Sequence, residues 1–414
     1  MKVIDRLIQK PATLVASVFA VVAIAAYLPR VLMLVDGLQW PGGLLSWVTN
    51  RDFANYWMAA RMVLLGDHSD LFQQSVYFAR MQAVFGPDYP IHNWGYPPHF
   101  LLVLWPLGFL DYKTALVVFL IVTLLFFLTC AWVFRRTYGS DTGLTVLVLV
   151  VSGYSLLMID ASQNGFLLAG LLLLGVSWMR SRPILAGIAF GFLTVKPQLG
   201  LLIPLLLVFD RNWRAIGWSA LATLSLVGIS AFLFGVSSWM AYLTETLAYQ
   251  RSVMVNWHGI FLPMMPTVFG TVRTLGFSAD VAYVCQWPLS ILAAGAIVWL
   301  LRYEPDPLRR IFTITCGTFL VSPYAFNYDM GALAVCAAVL ASKPDLSRRT
   351  ELAVSIVAGL PAAVMNLGRS QMPIAPLLLA AALAMIIWDV LDRRRKVPTV
   401  AAPPARDSFQ AAGS

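Results

Sequence analysis

An all-α, polytopic membrane helix bundle is the fold class this sequence predicts, and three observations predict it. Hydrophobic residues fill 59% of the 414 positions and charged residues only 12%, with a mean hydropathy of +0.75. A soluble chain of this length would need far more charge to solvate its surface, so most of the surface must face lipid. Apolar runs near the spanning length of about 20 residues recur from end to end, and short basic clusters stand between them.

The runs fall near 12–35, 98–110, 113–134, 143–159, 164–180, 183–195, 199–209, 213–235, 281–301, 311–322, 329–342, 351–367 and 372–391. Several are shorter than a full span and read as half-helices or re-entrant pieces, so about ten to thirteen membrane segments are expected. Lys2, Arg6 and Lys10 precede the first run, which is too long for a signal-peptide core and is followed by no clean cleavage signature. It reads as a retained first helix. Residues 1–392 form one membrane domain, and 393–414 a basic, then disordered, tail.

The basic clusters Arg135/Arg136, Arg180/Arg182, Arg211/Arg214, Arg302/Arg309/Arg310, Lys343/Arg348/Arg349 and Arg393 to Lys396 go inside, with Lys2/Arg6/Lys10. Both termini are then cytoplasmic in an inner (plasma) membrane, and the long loops 36–97 and 236–260 lie outside. Parity breaks if 98–110 and 113–134 both span, so one of them is expected to be re-entrant. The net charge of +9 is scattered among these clusters rather than gathered in a stripe, which argues against nucleic acid as a partner. The four cysteines (Cys130, Cys285, Cys316, Cys336) lie in or beside apolar segments without CxxC spacing and read as small buried hydrophobes.

Polar and aromatic residues concentrate at the outside tips, so a functional cavity should open there. From Asp52, the residues Phe53, Tyr56, Trp57, Ala60 and Leu64 recur at helical spacing, with Arg51 and Arg61 on other faces. That pattern predicts an amphipathic helix lying at the membrane surface. A second short pattern follows Asp70 through Leu71, Val76, Phe78 and Met81, and the loop closes at Trp94-Gly95-Tyr96-Pro97-Pro98.

The stretch Asp52-Phe53-Ala54-Asn55-Tyr56-Trp57-Met58-Ala59-Ala60, with Leu65-Gly66 after it, opens an ordered set of motifs. Tyr96-Pro97-Pro98, Trp105-Pro106-Leu107, Gln163-Asn164-Gly165, Ala186-Gly187 and Lys196-Pro197-Gln198 follow. Each is weak alone. Together, over roughly residues 45–345, the chain resembles glycosyltransferase family 87 of the GT-C superfamily, which includes polyprenyl-phosphate-mannose-dependent mannosyltransferases. The resemblance implies a hexosyltransferase, using mannose by default. It would move the sugar from a polyprenyl-phosphate donor to a lipid or glycan acceptor on the outer face, inverting the anomeric centre. It also implies that an acid early in the first outside loop, here Asp52, serves as base.

Asp52 also fits an ordinary N-terminal helix acid favoured by capping and the helix dipole. No second acid stands beside it, and a metal bridging donor phosphate would want two or more hard oxygen ligands. The reaction is therefore expected to need no metal and no cofactor. Lys196 is the leading cation for the leaving phosphate. It interrupts an apolar run before a helix-breaking proline, and a lysine at membrane depth costs about 2.5–3.5 kcal/mol unless it faces a cavity or a partner. A snorkelling lysine at a helix end is the competing reading. Gln198 can donate beside it; Arg251 is a second candidate cation, equally well read as an interfacial arginine.

His258 could relay a proton, bind phosphate as an imidazolium or hold the acceptor, although a structural histidine fits it at least as well. His92 and His99 flank the Tyr96 turn and carry little weight. Tyr56, Tyr96, Gln163, Asn164, Asn327 and Tyr328 are the candidate substrate contacts, with Tyr324 and Asp329 on the same tip as the last two. Helix-end hydrogen bonding is the plainer reading for Gln163 and Asn164, and capping competes for Asp329. Two other classes compete. A transporter or flippase also uses broken helices, but this chain shows no internal repeat; a polysaccharide polymerase or ligase favours a large loop late in the chain, not after the first helix.

Overall fold

Continuous apolar sequence becomes helix because backbone N–H and C=O groups find no partner in lipid and must bond within the segment. The computed structural model describes residues 11–40, 46–49, 51–90, 94–139 and 143–396. The Lys2/Arg6/Lys10 cluster, His92, Asn93 and the tail after Lys396 lie outside the described residues. Among the described residues there is no strand.

The helices of ten or more residues are α1 (Pro11–Gln39), α2 (Phe53–Leu65), α3 (Gln74–Phe85), α4 (Tyr112–Tyr138), α5 (Leu144–Ala161), α6 (Gly165–Trp178) and α7 (Pro183–Phe192). There follow α8 (Trp213–Phe234), α9 (Leu247–Asn256), α10 (Ala279–Tyr303), α11 (Pro307–Val321), α12 (Gly331–Ala341), α13 (Arg348–Arg369) and α14 (Ala375–Lys396). Seven of them (α1, α4, α5, α8, α10, α13 and α14) are long and apolar enough to cross a membrane. Shorter apolar helical pieces cover Pro98–Phe109, α6, Pro183–Val195, Pro197–Phe209 and α12.

The two neighbouring runs that broke parity differ in length. Pro98–Phe109 is a short helix between two 3-10 turns, whereas α4 has 27 residues. At about 1.5 Å per residue only α4 reaches across some 30 Å of hydrocarbon. Asp111 sets its start, its carboxylate accepting from the N–H groups of Lys113 (3.1 Å) and Thr114 (3.2 Å).

At the centre stands α12, every residue of which is buried. It packs on α11, α13, α5 and α6, and α13 in turn packs on α1. The periphery is the reverse: only 11% of the most apolar window of α8 is buried, so nearly all of it is left for lipid. Its most extensive contact is with α7, approached over Gly187 and Gly191. A β-carbon at Gly191 would sit 2.6 Å from Cβ of Ala222, and one at Gly187 would sit 2.9 Å from the Ser219 nitrogen. Such small-xxx-small spacing is how membrane helices bring backbones together. Gly187→Leu is therefore expected to destabilise the protein by about 1–3 kcal/mol through overpacking, read as a lower melting temperature in detergent. An unchanged transition would contradict the close α7–α8 contact.

α6 runs from Gln163 to an opposite end of the bundle where the basic clusters meet acids, of which the side chains of Asp210 and Glu304 are buried and that of Asp345 is exposed. Arg310 pairs with Asp210 (2.5 Å), Arg309 with Asp345 (2.8 Å), and Arg393 with Glu304. Part of the basic excess read from the sequence is thus neutralised in place.

The helix expected from Asp52 onward is α2, but it is sunk into the protein rather than laid on its surface. Phe53, Ala54, Asn55, Tyr56, Met58, Ala59, Ala60 and Met62 are all buried. Its polar groups bond to protein instead of water: Tyr77 Oη donates to Asn55 Oδ1 (2.7 Å), Trp57 Nε1 to the Leu110 carbonyl (2.9 Å), and Arg61 to the Gly108 carbonyl (3.3 Å). The second pattern divides between a 3-10 turn, His68–Phe72, which holds Asp70 and buried Leu71, and α3, which buries one stripe, Tyr77 and Met81.

Candidate active site

Asp52 stands at the N-terminus of α2 with its own backbone already helical, and its side chain makes no cap hydrogen bond. An acid at that position normally spends its carboxylate on the N2 or N3 amide; here the Asn55 N–H is met by the Asp52 backbone carbonyl (3.1 Å). The half-buried carboxylate is left for the cavity beside it. Arg51 fixes the segment from the other side. Its guanidinium donates to Asp160 Oδ1 (2.6 Å) and to the Asp160 backbone carbonyl, and Arg30 reaches Asp160 Oδ2 at 3.1 Å. Asp160 is buried at the end of α5, so this charge cluster ties α1, α2 and α5 together beside Asp52.

Two tyrosines and a glutamine form the next wall. Tyr56 Oη donates to Gln163 Oε1 and lies 2.8 Å from Tyr96 Oη, which reaches Gln163 Oε1 at 3.3 Å. The Asn164 N–H also donates to Gln163 Oε1 (3.1 Å). Gln163 Nε2 has no hydrogen-bond partner among the described residues. Burial pushes both phenols above their ordinary range, so each keeps its proton as a donor. The tip can pack this closely because residue 165 is glycine: a β-carbon there would lie 2.7 Å from Tyr154 Oη and against the Tyr328 carbonyl.

Lys196 lies where the apolar run breaks. α7 ends in a 3-10 turn, Leu193–Val195, and a new turn starts at Pro197 with Lys196 non-helical between them (φ −130°, ψ 82°). Its side chain is 9% exposed and its ammonium donates to Asp329 Oδ1 at 2.8 Å. Nζ also sits 4.8 Å from the ring centre of Tyr328 and 5.9 Å from that of Tyr96. Asp329 Oδ2 accepts from the Phe326 N–H (3.1 Å). An ammonium has three donors, and only one is used by this carboxylate.

These groups share one cavity of about 480 Å³. Asp52, Tyr56, Tyr96, Gln163, Lys196, Gln198 and Tyr328 all line it, with Asn55, Tyr242, Gln250 and Tyr324. Gln250 Nε2 donates to the Gly95 carbonyl (2.6 Å), joining the two long loops over the cavity. Beyond Lys196 an apolar groove of about 490 Å³ runs between α7, α8 and the Ile203–Phe209 helix, lined by Leu193, Thr194, Ile203 and Leu224 among others. Pro197 lines both spaces.

Five residues singled out in the sequence fall elsewhere. Arg251 is exposed and absent from the lining; its neighbour Gln250 is the one turned inward. His258 is exposed and lines an adjoining recess. Asn327 is buried, its amide spent on the Pro361 carbonyl (3.4 Å) and the Tyr328 N–H (3.0 Å). Asn164 is wholly buried off the cavity, with neither amide atom hydrogen-bonded among the described residues. His99 is buried as well, 3.2 Å from Thr194 Oγ1 and stacked on Trp239.

The fold and cavity define a polytopic membrane protein with an internal polar site, and comparison with known proteins makes it a membrane glycosyltransferase. The chain belongs to glycosyltransferase family 87, whose family model matches residues 94–323. That stretch includes Tyr96, Gln163, Lys196 and Gln198; Asp52 and Tyr56 precede it. An alpha-(1->3)-arabinofuranosyltransferase of Mycobacterium tuberculosis, in strains CDC 1551 and H37Rv, is 26% identical over 310 residues, 71% of this chain and 67% of that protein. No solved structure matches this chain.

Proposed function

We propose that this membrane glycosyltransferase takes its sugar from a polyprenyl-phosphate donor and passes it to a lipid or glycan acceptor at the extracytoplasmic face of the inner membrane. The observation that carries the reading is a single cavity holding an uncapped carboxylate, Asp52, and a buried ammonium, Lys196. The apolar groove that meets the cavity at Pro197 supports a donor with a long hydrocarbon tail.

In this reaction the acceptor hydroxyl gives its proton to Asp52 as its oxygen bonds to the anomeric carbon. The bond from that carbon to the phosphate oxygen breaks in the same step, and the electron pair leaves on the polyprenyl phosphate. Lys196 and Gln198 stabilise the charge that gathers there. One displacement inverts the anomeric centre. Tyr56, Tyr96 and Gln163 supply hydrogen bonds to sugar hydroxyls. No metal is assigned a part, because Asp52 has no neighbouring acid in the chain and Asp329 is occupied by Lys196.

Two sugars have support. Resemblance to the mannosyltransferases of the family favours mannose, and the relatives' name favours an arabinofuranosyl donor. Purified protein incubated with polyprenyl-phosphate-mannose or polyprenyl-phosphate-arabinofuranose, plus an acceptor lipid extract, is expected to release polyprenyl phosphate from one of them, with chelator present or absent. Inhibition by chelator that Mg²⁺ or Mn²⁺ restores would overturn the metal-free chemistry. Passage of the lipid across the bilayer without release would replace the transferase by a flippase.

A further inference from the structure

A second recess, of about 540 Å³, adjoins the first and shares Ile260 with it. Its lining brings together His258 from the loop after α9, Arg273 and Thr274 from the Val268–Thr274 helix, and Arg369 and Gln371 from the end of α13. Among the described residues no Asp or Glu lines it.

Arg273 is only 4% exposed. Its Nη1 donates to the Phe277 carbonyl (3.1 Å), and its Nη2 to the carbonyls of Val255 (3.2 Å) and Trp257 (3.1 Å). Carbonyl dipoles orient a guanidinium but leave its unit charge in place. Two of the lining residues each keep one buried polar atom without a hydrogen-bond partner among the described residues, Arg273 Nε and Thr274 Oγ1. Buried polar groups are nearly always satisfied, and an orphaned pair calls for a missing partner. Arg369, exposed at the rim, adds a second fixed positive charge. Spare donors and uncompensated cations around one space suit an acceptor-rich anion.

We infer that this recess binds the anionic group, a phosphate or a carboxylate, of the acceptor molecule, whose sugar hydroxyl then reaches Asp52 past Ile260. The acceptor role rests on the transfer reaction proposed above; the anion site rests on its own lining. This gives His258 a place in binding rather than in proton transfer.

The test uses the full-length protein in neutral detergent, titrated with phosphatidylglycerol or phosphatidylcholine and followed by native mass spectrometry. Wild type is expected to prefer the anionic lipid by about tenfold, the scale of one charge-assisted hydrogen bond. Arg369→Gln should abolish most of that preference and Arg369→Lys retain part of it; Arg369 is exposed, so folding is not at stake. Competition by inorganic phosphate would assign recognition to the phosphate group alone, and its failure to compete to the esterified headgroup. Equal retention of both lipids by wild type, or an unchanged preference in the Arg369→Gln/His258→Gln double variant, overturns the site. Asp52→Asn should keep the preference, so a failed transfer reaction and a failed anion site leave different patterns.

Discussion

Asp52→Asn is expected to leave the protein folded and inserted while lowering turnover by about 10²–10⁴-fold, the usual worth of a positioned general base. Folding should survive because the carboxylate caps nothing and the amide has the same shape. The segment is held instead by its neighbour, Arg51, bonded to buried Asp160. Loss of activity can therefore be read as loss of the base rather than loss of the loop. The measurement is release of polyprenyl phosphate per enzyme at matched expression, with the melting temperature recorded alongside. Full turnover by Asp52→Asn would remove the mechanism.

The second large effect concerns Lys196, and it splits into two parts. Lys196→Ala strands Asp329, whose side chain is fully buried. Breaking a buried pair by deleting one partner costs about 3–5 kcal/mol, so this variant should melt much earlier whatever its role in donor binding. The double variant Lys196→Met/Asp329→Leu removes both charges together, and such replacements are often neutral in stability. It is expected to regain most of the lost stability and still turn over donor about 10²–10³-fold more slowly, the typical loss when one stabilising donor to a developing anion is removed. If the double variant works at the wild-type rate, the lysine serves only to satisfy Asp329.

Much of the bundle was legible in the chain because lipid imposes a simple rule on it: a run of apolar residues near spanning length must be helical. The break at Lys196-Pro197 was legible for the same reason, as a charge and a proline have no cheap place inside such a run. What periodicity does not carry is who lies on the other side. α2 shows helical spacing, yet its polar face meets Tyr77 and Gln163 in place of water, and both partners are distant in sequence. Lys196 and Asp329 stand 133 residues apart. A signal for that pair did exist: a buried lysine needs an acid, and Asp329 stands at an outside tip, as Lys196 does.

Gln250 and Arg251 illustrate a finer limit. Charge made Arg251 the more attractive candidate, but on a helix adjacent residues point about 100° apart, and Gln250 is the one that faces inward. His258 shows the same limit at the scale of loops. Its string, Asn256-Trp257-His258-Gly259, lies near the cavity in sequence and opens into the recess next door.

The placement of α12 bears on how the enzyme tolerates different membranes. Bilayers thicker or thinner than the hydrophobic length of a helix are accommodated by tilt, and mismatch acts on surfaces that touch acyl chains. α12 touches none, being enclosed by protein along its whole length, and Asp329 lies just ahead of its first turn. Tilt would be taken up by outlying helices such as α8 before it reached the carboxylate that holds the Lys196 ammonium. The charge at the centre of the site is thereby insulated from variation in the surrounding lipid.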